Sequence, residues 1–468
     1  MAAPTGSNGP PPNGESSRKR PSLSRAVILT YGAPSLGTGA MFGMLLLYFM
    51  KFSTDVLLIA PAAIGAILGA SRVWDAISDP IAGYWSDRTR TRIGRRRPWI
   101  LGSSIPIAIA FYALWSPPRS LDDDTLVVWM AVAAFAFFTV YTAYTVPFRA
   151  LGTELGADYH DRTRVFATSA FLGYIGAFFA IGVIYGLERS SDPREFATSM
   201  VTIAAVFTAV TMIYTGIRLR EQPDRFDRGG ARGIGTFIDV VRNPHARPLL
   251  GVHFLSDLGG ASFASLLPYV SDYILQTPGY TAYYQLALLL GLTAGVPFWV
   301  PASRRIGKRG AWLIATLLQL PICVGYLFLE QGMALILCGG MFLIGFLNGA
   351  AGAVAQSMQS DVIDYDELST GERKEGVYFA SWNFLQKSAF GINLAFVGML
   401  LQWSGFTPNV DQSLSAQRAI SIGFVGLPFI TMVLNVFLLT RFRLNEKEHA
   451  EVALALEERK LAHTRARG

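Results

Sequence analysis

The chain has 468 residues, of which 51% are hydrophobic and only 16% charged, with a net charge of +7 and a mean hydropathy of +0.35. A soluble domain carries roughly 25% charged residues, so these proportions exclude an ordinary soluble protein. No G-x-x-x-x-G-K-[ST] stretch occurs, which leaves an ATP-driven pump without its phosphate cradle.

Residues 1–25 are rich in Pro, Gly and Ser and read as a disordered cytoplasmic tail. Crossing ~30 Å of hydrocarbon takes ~20 apolar residues in a helix. About twelve such stretches follow, near 27–52, 58–85, 98–116, 125–149, 164–187, 196–218, 248–275, 282–303, 310–329, 332–356, 376–402 and 418–441. The first lacks a small-residue cleavage site, so it is expected to stay in the mature protein. Gly39 and Gly43, Gly65 and Gly69, and Gly291 and Gly295 have the spacing that lets helices approach closely in lipid, each pair being weak evidence alone. Trp85, Trp99, Trp115 and Trp403 stand at span ends, where interfacial anchoring accounts for them.

The second run carries charge where lipid is expected: Arg72, Asp75 and Asp79, with Ser78 between the two acids. Asp75 and Asp79 share a helix face, and Arg72 lies on nearly the same one. Ionisable groups deep in a span are costly and mark function by default. Two carboxylates facing one cavity repel, so a bound Na⁺, a shared proton or a neighbouring cation must offset them. A basic turn follows, with Arg88, Arg90, Arg92, Arg95, Arg96 and Arg97. Arg149 closes the fourth run, and two readings stay open there: an arginine that gates or snorkels at the cytoplasmic end, and a substrate ligand.

Residues 219–247 form the longest internal polar stretch and divide the spans six and six, into an N-terminal bundle over 26–218 and a C-terminal bundle over 248–443. Gly229, Gly230, Gly233 and Gly235, a short amphipathic piece over 236–242, and Pro244 and Pro248 mark it as a cytoplasmic linker. The turn Arg92-Ile93-Gly94-Arg95 after span 2 returns as Arg305-Ile306-Gly307-Lys308 after span 8. Parallel six-helix repeats of this kind are the plan of major facilitator transporters. Lys and Arg crowd alternate loops, while 53–60 and 276–281 have none. That asymmetry puts both termini in the cytoplasm and gives the basic residues a use other than nucleic acid.

In the seventh run His253 and Asp257 stand four apart, a plausible hydrogen-bonded pair that either packs helices or touches substrate. Cys323 and Cys338 lie inside spans and read as free thiols, and the five histidines show no metal-ligand spacing. Asp361, Asp364, Asp366 and Glu367 form an acidic loop expected to pair with the basic turns and hold an inner gate shut. Lys387 is read as the only lysine well inside a span. At ~1.5 Å per residue, Asp75 lies about 18 Å above Asp87 and Lys387 about 18 Å above Glu375. Their depths match, so pairing across the halves is geometrically possible, either as a fixed structural cluster or as a site whose occupancy changes. Residues 444–468 form a second tail, expected to be a cytoplasmic helix.

Trp74-Asp75-Ala76-Ile77-Ser78-Asp79-Pro80, then Asp87-Arg88-Thr89-Arg90 and Arg95-Arg96-Arg97-Pro98-Trp99-Ile100, closely resemble the glycoside–pentoside–hexuronide:cation symporters. Tyr48-Phe49-Met50, Thr54-Asp55-Val56, Tyr141-Thr142, Val146-Pro147-Phe148, Asp364-Tyr365 and Lys387 extend the resemblance over most of the chain. It implies that Asp75, Asp79 and Thr142 fall at the family's cation site and Lys387 at its coupling lysine. Ser78 replaces an asparagine of the sodium-using sugar permeases, and its hydroxyl can still ligate a hard cation. Gly39, Thr145, Arg149 and Ser169 stand where the galactoside-binding members carry carboxylates, a tryptophan and an arginine, so a galactoside is not expected.

The sequence therefore predicts an all-α major facilitator fold of about twelve helices in a bacterial inner membrane, a monomer and not an enzyme. Its expected work is Na⁺- or H⁺-coupled symport of a small organic solute: a sugar, glycoside or sugar acid. A lysolipid or other amphiphile is the alternative solute, and a non-transporting membrane sensor the alternative class. Asp75, Asp79, Thr142 and Ser78 are the candidate cation site, with Lys387 and Arg72 coupling. Gly39, Tyr141, Thr145, Arg149, Ser169 and Asp257 are candidate cavity residues, and Asp87, Arg88, Arg95 and Asp364 a candidate cytoplasmic gate.

Overall fold

A computed structural model describes residues 23–155, 159–219, 221, 240–372, 374–444 and 446–465. Nearly all of the expected N-terminal tail and most of the 219–247 linker lie outside the described residues. Twelve long helices follow the apolar runs: α1 Arg25–Leu47, α2 Pro61–Arg88, α3 Arg97–Trp115, α4 Asp123–Leu155, α5 Tyr159–Leu187, α6 Pro193–Arg218, α7 Ala246–Tyr269, α8 Thr281–Ile306, α9 Lys308–Gly325, α10 Ala334–Thr370, α11 Glu375–Trp403 and α12 Leu414–Arg441. A thirteenth, α13 Glu446–Arg465, forms the C-terminal tail. Ten are long and apolar enough to cross a membrane outright, and α1 makes an eleventh when joined across a 57° bend to residues 49–56. The 28-residue α2 is also long enough and is set apart by the charges near its middle. The chain is a multi-pass all-α membrane protein.

Small residues set the helix crossings. A side chain at Gly39 would lie 2.3 Å from the Gly173 carbonyl oxygen of α5, and one at Gly291 2.0 Å from the Phe342 carbonyl oxygen of α10. One at Gly65 would lie 2.7 Å from the Leu394 carbonyl oxygen of α11. The first two crossings sit inside the halves, whereas α2 against α11 joins them.

The internal repeat is sharper than the basic turns suggested. α1 ends, after the short helix Phe49–Lys51, in a π-helical turn at Phe52–Val56, and α7 runs into one at Val270–Ile274. Leu57 N–H bonds Phe52 O at 3.1 Å and Leu275 N–H bonds Val270 O at 2.9 Å. Leu58 and Gln276 then take positive φ of 60° and 52°. Both halves thus close the same helix end with the same device, and each turn carries an aspartate, Asp55 and Asp272.

The acidic stretch expected as a loop before span 11 is helical. α10 continues to Thr370 and stops at Gly371, whose φ of +76° is a left-handed helix terminus. The polar run from Gln356 onward extends the helix beyond its apolar part rather than breaking it. Gly94 and Gly307, with φ of +119° and +78°, make the two basic turns. The Glu221 carboxylate accepts the backbone N–H groups of Arg95, Arg96 and Arg97 at 2.8, 2.7 and 2.9 Å, capping the start of α3.

Candidate functional site

α2, α4 and α11 bring four charges and a hydroxyl to one point. Lys387 Nζ donates to Asp79 Oδ2 at 2.7 Å and lies 3.6 Å from Asp75 Oδ2. The same Asp75 Oδ2 is reached by Arg72 Nη1 at 3.4 Å. Arg72 is held there by packing, its guanidinium 4.3 Å above the Phe138 ring and 5.3 Å from that of Phe42. Two carboxylates and two cations balance. The members differ in access: the Asp75 side chain is 0% exposed, that of Asp79 32% and that of Lys387 21%. Asp75 with Arg72 is the sealed part of the cluster, and Asp79 with Lys387 the part that water reaches.

Thr142 Oγ1 lies 3.2 Å from Asp75 Oδ1 and 2.9 Å from Asp79 Oδ1. A hydroxyl has one proton to donate, so two anionic neighbours cannot both be satisfied by it. A proton on one carboxylate or a cation between the oxygens completes the arrangement. Ser78 is buried, and its hydroxyl donates to the Asp75 carbonyl oxygen at 3.3 Å, which leaves lone pairs but no direct contact with the carboxylates.

The other expected cavity residues scatter. Gly39 belongs to the α1–α5 crossing rather than to an open wall, because the Gly173 backbone occupies the place of its side chain. Ser169 Oγ pairs with Ser35 Oγ at 2.6 Å in the same helix pair, and Thr145 donates to the Tyr141 carbonyl oxygen at 2.9 Å. Tyr141 packs on Phe42 with ring centroids 4.4 Å apart. Arg149 is exposed, two turns further toward the arginine-rich end of α4. His253 and Asp257 do not pair, because neighbouring helices supply nearer partners. His253 Nε2 meets Gln359 Nε2 at 2.8 Å, and Asp257 bonds the Gln386 side chain, next to Lys387.

At the arginine-rich end Arg95 pairs with Glu154 at 2.6 Å, Arg96 with Asp87, and Lys308 with Asp361 at 2.6 Å, each within one half. Arg88 lies on the Tyr84 ring, 3.5 Å from its centroid, and Asp364 meets His449 of α13 at 3.3 Å. Of the acidic run, Asp361 meets Lys308 of the second basic turn, Asp364 meets the tail helix and Asp366 meets Lys374.

The opposite end contains a cluster that sequence reasoning missed. Lys51, 4% exposed, is a second lysine buried in a span. It bonds Asp55 at 3.0 Å and, across the halves, Asp272 at 2.5 Å. Tyr273 donates to Asp55 at 2.6 Å, Thr54 pairs with Tyr269 at 2.8 Å, and Asn409 Nδ2 donates to the Asp55 carbonyl oxygen at 2.8 Å. All three also join one half to the other. The available signal was Lys51 and Asp55 at i, i+4, with Asp272 at the same place in the second half. Just beyond α5, burial pushes the Glu188 carboxyl up to about 7, its oxygens having no hydrogen-bond partner among the described residues, and the nearby Lys51 opposes that shift only in part.

The family model described as MFS/sugar transport protein matches residues 30–446. The isoprimeverose transporter of Lactiplantibacillus pentosus is 25% identical over 90% of this chain and 88% of its own. A sodium-dependent lysophosphatidylcholine symporter 1-B of Danio rerio is 23% identical over 89% of this chain and 86% of its own. A crystal structure of a D-xylose-proton symporter superposes with a TM-score of 0.63 at 11% identity, covering 88% of this chain and 96% of that one. The chain belongs to the MFS/sugar transport protein family and has the major facilitator fold.

Proposed function

We propose that this member of the family is a cation-coupled symporter of a small organic solute, working by alternating access in a bacterial inner membrane. The observation that carries the reading is the Lys387 ammonium of the second half seated on Asp79 and Asp75 of the first. With Arg72 the cluster is neutral, so an added Na⁺ or H⁺ leaves one excess positive charge in a poorly solvated place. The charge is removed when Lys387 leaves. Cation binding at Asp75, Asp79 and Thr142 therefore breaks a bond between the halves, and that is how ion occupancy reaches conformation. Thr142, with two acids around one hydroxyl, is where the ion or proton settles.

The bonds that cross the halves at Lys51, Asp55, Tyr269 and Asn409 support a state closed at that end, which under alternating access is open at the arginine-rich end. With the basic turns in the cytoplasm, that state is inward-facing and both termini are cytoplasmic. Asp87, Arg95 and Asp364 then belong to the parted inner gate. The sugar-carrier and lysolipid relatives stand at nearly equal identity, so relatedness alone does not choose the solute. A sugar, glycoside or sugar acid is the reading favoured by the polar interior.

Proteoliposome uptake of D-xylose, D-glucuronate and lysophosphatidylcholine under imposed Na⁺ or H⁺ gradients tests this. One solute accumulates against its gradient with one of the two ions. Asp79→Asn abolishes that accumulation and keeps downhill exchange. Undiminished accumulation by Asp79→Asn overturns the site.

A further inference from the structure

In the second half, α7, α9, α10 and α12 surround a cavity of about 70 Å³. Gln319 lies about 17 Å along α9 from Lys308 and Ser256 about 15 Å along α7 from Ala246, close to the depth of Asp75. The cavity is polar without being charged, since no Asp, Glu, Lys, Arg or His lines it. Gln319 is 5% exposed and its amide has no hydrogen-bond partner among the described residues. Asn435 is 3% exposed; its Nδ2 donates to Ser256 Oγ at 3.0 Å, while Oδ1 has no partner. Thr316 and Thr431 spend their protons on the carbonyl oxygens of Trp312 and Pro428, both at 2.9 Å, and keep acceptor lone pairs. Asn348 and Gly260 line the cavity and are exposed, marking its mouth.

An unmatched buried amide costs free energy that a leucine there would not. Asn435 Oδ1 is one such atom, and the Gln319 amide, accessible but without a protein partner, lies on the same cavity, which points to a partner that comes and goes. We propose that this cavity is a solute subsite for a neutral, hydroxyl-bearing group, such as the hydroxymethyl arm or one edge of a sugar. Each hydroxyl donates one hydrogen bond and accepts others, which suits amide donors beside amide and hydroxyl acceptors. A carboxylate or phosphocholine head finds no counter-charge here, and burying it unpaired is prohibitive. Room for about two groups of water size, at ~30 Å³ each, takes a side arm and leaves the ring in the space between the halves. The inference rests on the symporter reading and narrows its solute to neutral sugars, held largely by the half opposite the ion.

Calorimetric titration of the purified full chain with D-xylose, methyl β-D-glucoside, D-glucuronate and lysophosphatidylcholine tests it. The neutral sugars bind, and Gln319→Leu weakens them by about tenfold or more, the equivalent of one lost hydrogen-bonding group. Tm holds in that variant, because no protein hydrogen bond is lost. Asn348→Leu at the mouth weakens binding in the same direction. The subsite is refuted when the wild type binds no neutral sugar, when both variants keep wild-type affinity, or when Gln319→Leu shifts Tm and not affinity, as a cavity holding only water requires. Titration needs no gradient. Intact, Gln319-dependent binding together with failed ion-driven uptake contradicts the symporter reading and leaves the subsite standing.

Discussion

Asp75 and Asp79 have the same chemistry and different surroundings, so their replacements separate two roles. Asp75 is sealed against Arg72, and Asp75→Asn leaves that guanidinium without its counter-ion, which costs on the order of 3–5 kcal/mol for a fully buried pair. Asp79 reaches water and Lys387, and its replacement costs less. Lys387→Ala strands a carboxylate that can take up a proton, so it impairs coupling more than folding. Lys387→Ala with Asp79→Asn keeps the cluster neutral. It is expected to restore expression and Tm toward wild type without restoring accumulation, which size-exclusion yield and uptake measured together will show. These residues were legible because charge inside an apolar run has few innocent explanations. Lys51 was not, since it lies at the end of its run, where a lysine reads as interfacial. Gln319 and Asn435 were hidden because single amides in apolar helices carry no pattern, and only their convergence gives them meaning.

At the scale of helices, glycine spacing was readable as close packing, but not which partner each pair meets. The structure assigns Gly291 to α8 against α10 and Gly65 to α2 against α11, and the consequences differ. Gly291→Val drives two helices of one half apart and lowers stability, by ~1–3 kcal/mol for overpacking, seen as a lower Tm. Gly65→Val pushes on the contact between halves, so it raises labelling of a cysteine at Ser53, fully buried in the Lys51 end, with Tm little changed. Equal Tm losses in both variants contradict this division.

Glu188 gives the same end a pH dependence. Its neighbours are Lys51, Asp272, Arg189 and Thr281. A carboxyl raised to about 7 in the closed state, and ordinary near 4.3 once hydrated, favours closure fully below the lower value. That advantage is lost as pH rises through about 7. Labelling at Ser53→Cys is therefore expected to quicken between about pH 5 and pH 7, and Glu188→Gln to flatten the profile. A profile that Glu188→Gln leaves unchanged assigns the titration elsewhere. The π-helical turns that carry this gate were invisible in the sequence, because a one-residue change of helical register has no composition signature.

For the molecule as a whole, length and hydropathy yielded the helix count, while the 219–247 stretch, supported by the repeated basic turn, pointed to two six-helix halves. The conformational state was not readable, since it depends on which bonds cross between halves. The proposed sidedness rests on the arginine asymmetry. A cysteine at Arg95 is expected to label only from the cytoplasm and one at Tyr280, 44% exposed at the opposite end, only from outside. Labelling of both from one side reverses the helix count. Entry of a cation between Asp75, Asp79 and Thr142 by displacement of Lys387 can be measured without knowing the solute. Liposomes bearing the protein on a solid-supported membrane are given a Na⁺ or H⁺ concentration jump and the charge displacement is recorded. A transient current is expected for one of the two ions, and it is lost in both Asp75→Asn and Asp79→Asn. No protein-dependent current with either ion, or a wild-type current in both variants, would contradict entry by that displacement.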